Sequence, residues 1–498
     1  MNIKRVSKVV GTGSIWLFAI VLLTAGSMDA NSRSIDSRVS STNHQSTVPS
    51  NQITSTLTSP NSKIVNSIIG NESPTAIPNA DPRTPPQVVE QRAGPQQHVA
   101  YFTQWGIYVR HYNVKDLDTS GAASKLSAIN YAFAGISPDS KCMSFDAWAD
   151  YQKHFSTDSV SGQADSWNDA NGLAGNFNQL KQLKAKHPKL KILISVGGWT
   201  LSGQFSTAVQ PANLKSFVRS CVDMFIKGNI SGLAPGAAAG IFDGIDIDWE
   251  YPAFQRTDSD SKGGYKFSPD DTQNYTAMLA EFRKQLGSNH LLTVAAPAGQ
   301  DKYSKIQLNK IGKYLDWINL MTFDYHGGWD KFTDIQAPLF CHPKDPSTSV
   351  QKTYCIDNSI KGYLQKGVPA AKILLGLPFY GHGWTNVANK NNGLFQSTSQ
   401  PAPGLYPDAP GVNDSKVLKK LTGQGYTAHR DQVTKGFWIF NGSTLWSYDD
   451  PQEITTKMNY ARSQKLGGAF CWSIDGDDGS LLNAMTGSNQ GEPNQGVA

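Results

Sequence analysis

Charge is scarce in this 498-residue chain: Asp, Glu, Lys and Arg make up 17% of it and sum to a formal +5, against about 25% charged residues in an ordinary soluble protein. No strong electrostatic footprint results, so no nucleic-acid partner is expected. Aromatic residues are missing altogether between Ala19 and Ala100, although the chain holds 12 Trp, 18 Tyr and 21 Phe. That part of the chain cannot share the core. Cysteine is limited to Cys142, Cys221, Cys341, Cys355 and Cys471, with no CxxC pair and no Cys/His cluster at zinc spacing, so neither a metal nor a cofactor is expected. Five is an odd count, which leaves at least one thiol free. Cys341 and Cys355 flank a Pro- and Ser-containing loop and make the best-placed pair. Cys471 lies in an apolar strand and reads as a buried thiol.

Long hydrophobic runs are also missing, with one exception. Lys4, Arg5 and Lys8 precede an uncharged run over residues 9–28 whose apolar centre spans 15–23. Residues 1–28 read as a secretory signal, which implies a secreted, extracellular protein. The run is about long enough to cross a bilayer, so a retained membrane tether with the chain facing outside is the alternative. Residues 31–60 contain nine Ser and five Thr, and Pro-rich text continues to Pro86. Such a stretch cannot bury enough apolar area to offset its ordering entropy, so residues 29–97 read as a disordered linker. The last residues, 485–498, read as a flexible tail.

What remains is rich in short apolar or β-branched runs bounded by turn residues: 98–103, 128–134, 190–196, 241–248, 291–297, 317–323, 373–379 and 468–474. Segments of helical period lie between them, at 178–186, 212–227, 272–286, 357–366 and 453–464. Eight alternations of β with α predict an α/β protein, a (β/α)8 TIM barrel over residues 98–484. Two gaps are too long for plain loops. One is 135–189; the other, about 381–444, is large enough for a small α+β insertion between the seventh and eighth strands. Both would leave the C-terminal ends of strands, where a barrel builds its chemistry, and wall a cleft.

The fourth run reads Phe242-Asp243-Gly244-Ile245-Asp246-Ile247-Asp248-Trp249-Glu250-Tyr251-Pro252. Alternation at period two sends Asp246, Asp248 and Glu250 to one face and Ile245, Ile247 and Trp249 to the other. Neighbouring carboxylates in a partly dry site raise one another's pKa, so a proton is shared and one group can serve as a general acid. Three readings compete for this face: internal ion pairing, a divalent-metal site, and glycoside hydrolysis. No basic residue lies within the motif to compensate the acids, and no further ligands are arranged for a metal. Aromatics at other strand ends, Tyr101, Trp105, Phe133, Trp199, Trp329, Trp384 and Trp472, are placed where sugar rings stack, which favours hydrolysis.

Asp243-Gly244-Ile245-Asp246-Ile247-Asp248-Trp249-Glu250-Tyr251-Pro252 resembles the signature of glycoside hydrolase family 18, the chitinases. Ser195-Val196-Gly197-Gly198-Trp199 is similar to the family's third-strand hallmark, and Tyr101-Phe102-Thr103-Gln104-Trp105-Gly106 to its first-strand motif. Met321-Thr322-Phe323-Asp324-Tyr325-His326-Gly327 resembles the sixth, and Cys471-Trp472-Ser473-Ile474-Asp475 the eighth. The bacterial subgroup with an α+β insertion before the last strand is the nearest. The resemblance implies a retaining, substrate-assisted mechanism, a known departure from the two-carboxylate scheme. It makes Glu250 the acid, Asp248 the partner of the substrate acetamido group and Asp246 the residue that shares its proton. It makes Trp472 the floor of the cleavage site, lined by Tyr101, Phe133, Met321 and Asp324, with Trp199 and Trp329 on the leaving-group side.

Two positions depart from the family pattern. Phe323 stands where Tyr is usual, which removes a hydroxyl that Tyr325 or a water would have to replace. His382, in Pro378-Phe379-Tyr380-Gly381-His382-Gly383, stands where Arg is common, and its bland reading is an ordinary loop histidine. The implied activity is an exported chitinase, acting as a monomer on chitin and chito-oligosaccharides. A non-catalytic chitin-binding lectin on the same fold and an endo-β-N-acetylglucosaminidase acting on N-glycans are the alternatives, with peptidoglycan a further substrate to separate.

Overall fold

The computed structural model describes residues 96–166, 171–256, 264–398, 400–406 and 409–488. The expected signal or tether, nearly all of the expected linker and residues 489–498 of the expected tail lie outside the described residues.

Eight parallel strands close on themselves: β1 (Gln97–Thr103), β2 (Ala128–Ile136), β3 (Lys191–Gly197), β4 (Gly244–Asp248), β5 (Leu291–Pro297), β6 (Trp317–Met321), β7 (Ile373–Pro378) and β8 (Gly468–Trp472). Each strand pairs with the next, and β8 pairs back onto β1, so no barrel edge is left open. The expected helices form as Gly175–Lys186, Leu214–Cys221, Asp271–Leu286, Ile356–Gln365 and Pro451–Ser463. The last begins with proline at its first position, and Asp450 Oδ1 accepts from the Glu453 amide at 2.8 Å.

Side-chain alternation sorts the strands into two cores. Ile245, Ile247 and Trp249 point outward into the layer between barrel and helices, where Trp249 stacks on Phe205 at 5.0 Å. A separate cluster of aliphatic and aromatic side chains lies inside the barrel, among them Val99, Tyr101, Phe133, Leu193, Trp317, Leu374 and Phe470. Three barrel strands, β6, β7 and β8, end sooner than their apolar text. Residue 321 ends β6, because Thr322 Oγ1 turns to the Gly376 carbonyl at 2.8 Å and Asp324 takes a φ of 56°.

The segment 135–189 opens with a short strand, Cys142–Ser144, that folds back on the end of β2. A disulfide from Cys142 to Cys221 fastens it to the helix Leu214–Cys221. A second disulfide joins Cys341 to Cys355, and Cys471 is a buried free thiol. Between β7 and β8, antiparallel strands from Tyr380–Thr385 to Leu445–Tyr448 form a separate sheet, with the helix Ser415–Leu421 against it. This insertion has its own core of Trp384, Trp438, Phe440 and Leu445, joined by Ile335.

Candidate active site

The site grows from the C-terminal end of β4. Asp246 is wholly buried inside the barrel and accepts from four side chains on four other strands. Tyr101 Oη (2.7 Å) and Ser195 Oγ (2.8 Å) donate to its Oδ2; Thr293 Oγ1 (2.5 Å) and Asn319 Nδ2 (3.2 Å) donate to its Oδ1. Burial raises the Asp246 pKa above the usual carboxylate value, and these hydrogen bonds only partly oppose it. Asp248, one step further along the same face, is 4% exposed, and its Oδ1 has no hydrogen-bond partner among the described residues. Burial, then the charges of Glu250 and Asp246, push its pKa well above the usual range. Glu250 is half-buried at the strand's end, and the hydroxyl of the half-buried Tyr251 hydrogen-bonds it.

The Ser-Val-Gly-Gly text of β3 explains how this row is held. A Cβ on Gly197, whose φ is +114°, would lie 2.1 Å from the Asp248 carbonyl oxygen, and one on Gly198 would lie 2.5 Å from the Phe133 ring. Only glycine lets the two chains approach so closely. Gly198 N donates to the Asp248 carbonyl at 2.7 Å. Ser202 Oγ then accepts from the Glu250 amide at 2.9 Å and donates to the Gly198 carbonyl at 2.8 Å. The backbone beneath both acids is therefore clamped to the neighbouring strand.

Aromatic rings surround the row. Trp472 stacks on Phe133 at 5.5 Å and lies beside Tyr101 and Trp105 at 5.4 and 6.3 Å. Tyr101 is 1% exposed, so it supports this floor from below. Met321, Phe323, Asp324 and Tyr325 line a pocket with Glu250 and Tyr251. Phe323 packs edge-on against Tyr380 and Phe470 at 6.1 and 5.8 Å. The Tyr325 hydroxyl is 2.7 Å from Ser359 Oγ in the outer layer. Asp324 Oδ1 accepts from Tyr380 Oη at 2.5 Å and meets His382 Nε2 at 2.7 Å. His382 is itself 1% exposed and packs against the Trp329 edge at 4.9 Å, so it reaches the cleft through Asp324. Trp199 lies under the Arg256 guanidinium, 3.5 Å from its ring centroid. One strand-end aromatic is out of place: Trp384 is fully buried in the insertion core, where no sugar can reach it.

Sequence reasoning missed the cradle residues Ser195, Thr293 and Asn319, the clamp at Ser202, and Tyr251, Arg256 and Tyr380. Tyr251 and Tyr380 lie inside motifs already singled out, so their neighbours were the available signal. Arg256 carries no local signal, since its contact with Trp199 crosses from one loop to another.

Acids in a row, Asp246 raised by burial and Asp248 by burial and by its acidic neighbours, with stacking rings around them, are the equipment of acid catalysis on a sugar. The family model described as Glycosyl hydrolases family 18 matches residues 97–477. The chain belongs to that family. It is 39% identical over 393 residues to chitinase C of Streptomyces lividans, covering 77% of this chain and 58% of that one. It is 34% identical over 429 residues to chitinase A1 of Niallia circulans, covering 77% and 57%. The chain thus spans less than two thirds of the length of these relatives. The solved catalytic domain of psychrophilic chitinase B from Arthrobacter TAD20 superposes with a TM-score of 0.73 at 38% identity, covering 79% of this chain and 94% of that one.

The carboxylate row of this family 18 chain makes a direct prediction. Because Asp246 raises the pKa of Asp248, Asp246→Asn removes one opposing charge and lowers the pH at which Asp248 ionises. Isotope-edited infrared titration should find an Asp248 carboxylic-acid band that persists to higher pH than that of a free aspartate in the wild type and vanishes at lower pH in Asp246→Asn. An Asp248 that ionises like a free aspartate in both proteins contradicts the assignment.

Proposed function

We propose that the chain is an exported chitinase that cleaves β-1,4 links between N-acetylglucosamine units with retention, using the substrate's own acetamido group as nucleophile. The observation that carries this reading is Asp248 Oδ1, a buried oxygen without a hydrogen-bond partner among the described residues, beside two further acids. A buried polar atom left unpaired is costly, and an acetamido N–H is the donor that satisfies it when substrate is bound.

In this reading Glu250, at the mouth of the row, protonates the leaving glycosidic oxygen. The acetamido carbonyl attacks the anomeric carbon and closes an oxazolinium ring. Asp248 holds the ring N–H and offsets its positive charge, while Asp246 takes up the proton that Asp248 gives up. Glu250 then draws a proton from water, which attacks the anomeric carbon from the face the leaving group vacated and opens the ring. A sugar without the N-acetyl group lacks the nucleophile, so the chemistry itself selects the substrate. Trp472 forms the floor under the sugar being cleaved; Trp105, Trp199 and Trp329 offer further stacking surfaces for a linear polymer of chitin or chito-oligosaccharide.

Phe323 has no hydroxyl to give the acetamido carbonyl, and the Tyr325 hydroxyl is engaged with Ser359. The Tyr251 and Tyr380 hydroxyls, on the walls of the site, are engaged with Glu250 and Asp324, so either serves as the donor only by releasing its carboxylate. Export rests on the N-terminal run, which lies outside the described residues, and is supported by two disulfides, a feature of oxidising compartments. Among the described residues no helix is long and apolar enough to cross a membrane. The lectin reading finds no support in the row, since it has no need of an acid at Glu250.

Glu250→Gln should lower turnover of N-acetylchitohexaose by about 10²- to 10⁴-fold while calorimetry finds its affinity for the hexamer little changed. Near-wild-type turnover in the variant removes Glu250 from the acid role; a wild type that binds the hexamer and leaves it intact makes the chain a lectin. Phe323→Tyr restores a donor and should raise kcat, by up to about 100-fold if no other group has taken its place. A large fall in kcat means the pocket has been rebuilt around the phenyl ring.

A further inference from the structure

The loop that leaves β6 carries Asp324 into the cleft and then runs through a second group of ionisable side chains that the reaction does not use. His326, Asp330, Asp334 and Asp345 are all buried, with 2, 8, 3 and 8% exposure. His326, Asp334 and Asp345 each bring one nitrogen or oxygen to within 4.8 Å of the other two. Both of these carboxylates are aimed by the backbone. Asp334 Oδ1 accepts from the Ile335 amide at 2.7 Å, and Asp345 Oδ1 accepts from the Ser347 amide at 2.6 Å.

The remaining atoms are short of partners. Asp334 Oδ2 and His326 Nδ1 are buried and have no hydrogen bond among the described residues. Nδ1 lies 3.3 Å from Asp330 Oδ2, which already accepts from the Gly327 amide at 3.2 Å, while Asp330 Oδ1 accepts from Gln351 Nε2 at 3.1 Å. One imidazole thus faces three carboxylates. Even a fully protonated ring leaves the group negative in a region closed to water, a charge that a divalent cation would balance.

We propose that His326, Asp334 and Asp345 form a site for one divalent transition-metal ion of the Zn2+ or Mn2+ kind, separate from the catalytic carboxylates. An imidazole with two carboxylates suits these ions, whereas Ca2+ and Mg2+ favour all-oxygen sets. Bonds of about 2.1 Å require the three ligand atoms to draw together slightly, which side-chain rotation allows. The ligands are separated by 8 and 11 positions, so no zinc-like spacing marks them in the sequence. Asp345 lies in the loop closed by the Cys341–Cys355 disulfide, and His326 is two residues from Asp324. The ion would tie that loop to the chain that positions Asp324, fastening one wall of the cleft rather than taking part in the chemistry.

The test uses tag-free full-length protein. Elemental analysis after purification without chelator is followed by chelation and calorimetric titration with ZnCl2, MnCl2 and CaCl2, with thermal unfolding at each stage. One Zn2+ or Mn2+ per chain should bind at about micromolar Kd or tighter, raise Tm, and bind at least about tenfold more weakly in Asp334→Asn and in Asp345→Asn. No stoichiometric Zn2+ or Mn2+ binding by the wild type overturns the proposal and leaves a proton-sharing ion-pair cluster. Binding undiminished in both variants places the ion elsewhere, and binding of Ca2+ alone excludes His326 as a ligand; either result also overturns it. Should the variants fail to fold, chelation and reloading of the wild type still decides.

Discussion

Everything at the active end of this barrel depends on keeping acidic side chains buried without an opposing charge. Asp246 is stabilised by four donors delivered from β1, β3, β5 and β6. Such a cradle exists only when the barrel is closed, because the donors come from strands on both sides of β4 and from across the interior. The energy of the fold and the chemistry of the site are therefore coupled: hydrophobic burial around Ile245, Ile247 and Trp249 holds β4 in place, and β4 in place presents the acids. Asp248 is left partly unsatisfied among the described residues, as the proposed contact with the substrate acetamido group requires.

The same constraint accounts for the residues around the row. Glycine at 197 and 198 is demanded by the approach of the Asp248 carbonyl and the Phe133 ring, so the β3 motif is a spacing device for the β4 motif. The aromatic cluster of Tyr101, Phe133, Trp105 and Trp472 closes the barrel's mouth beneath the cleft, lowers the local dielectric and so strengthens the mutual influence of the acids. The insertion adds Tyr380 and His382, which converge on Asp324 and hold it from the opposite wall.

Much of this was legible in the chain itself. The period-two alternation of β4 told inward acids from outward apolar residues without any structure, and eight apolar runs separated by helical text pointed to a barrel. Strand-end aromatics were legible as a class but not individually: Trp472 and Trp384 read alike, yet one stacks on Phe133 at the end of the barrel strands and the other is buried in the insertion. Contacts between distant segments left no local trace. Cys142 meets Cys221 only because the strand Cys142–Ser144 folds back beside the helix Leu214–Cys221, and Thr293 and Asn319 become ligands of Asp246 only through strand register. The His326 cluster was hidden for the same reason.

The account turns on a nucleophile supplied by the substrate from the face opposite the leaving group, and the stereochemistry of the first product reports it directly. Anomer-resolved chromatography of N-acetylchitohexaose digested by the wild-type protein, sampled before mutarotation, should find newly formed reducing ends in the β configuration. The corresponding hexamer without N-acetyl groups should remain uncut. Products in the α configuration, or equal cleavage of the unacetylated hexamer, would contradict it.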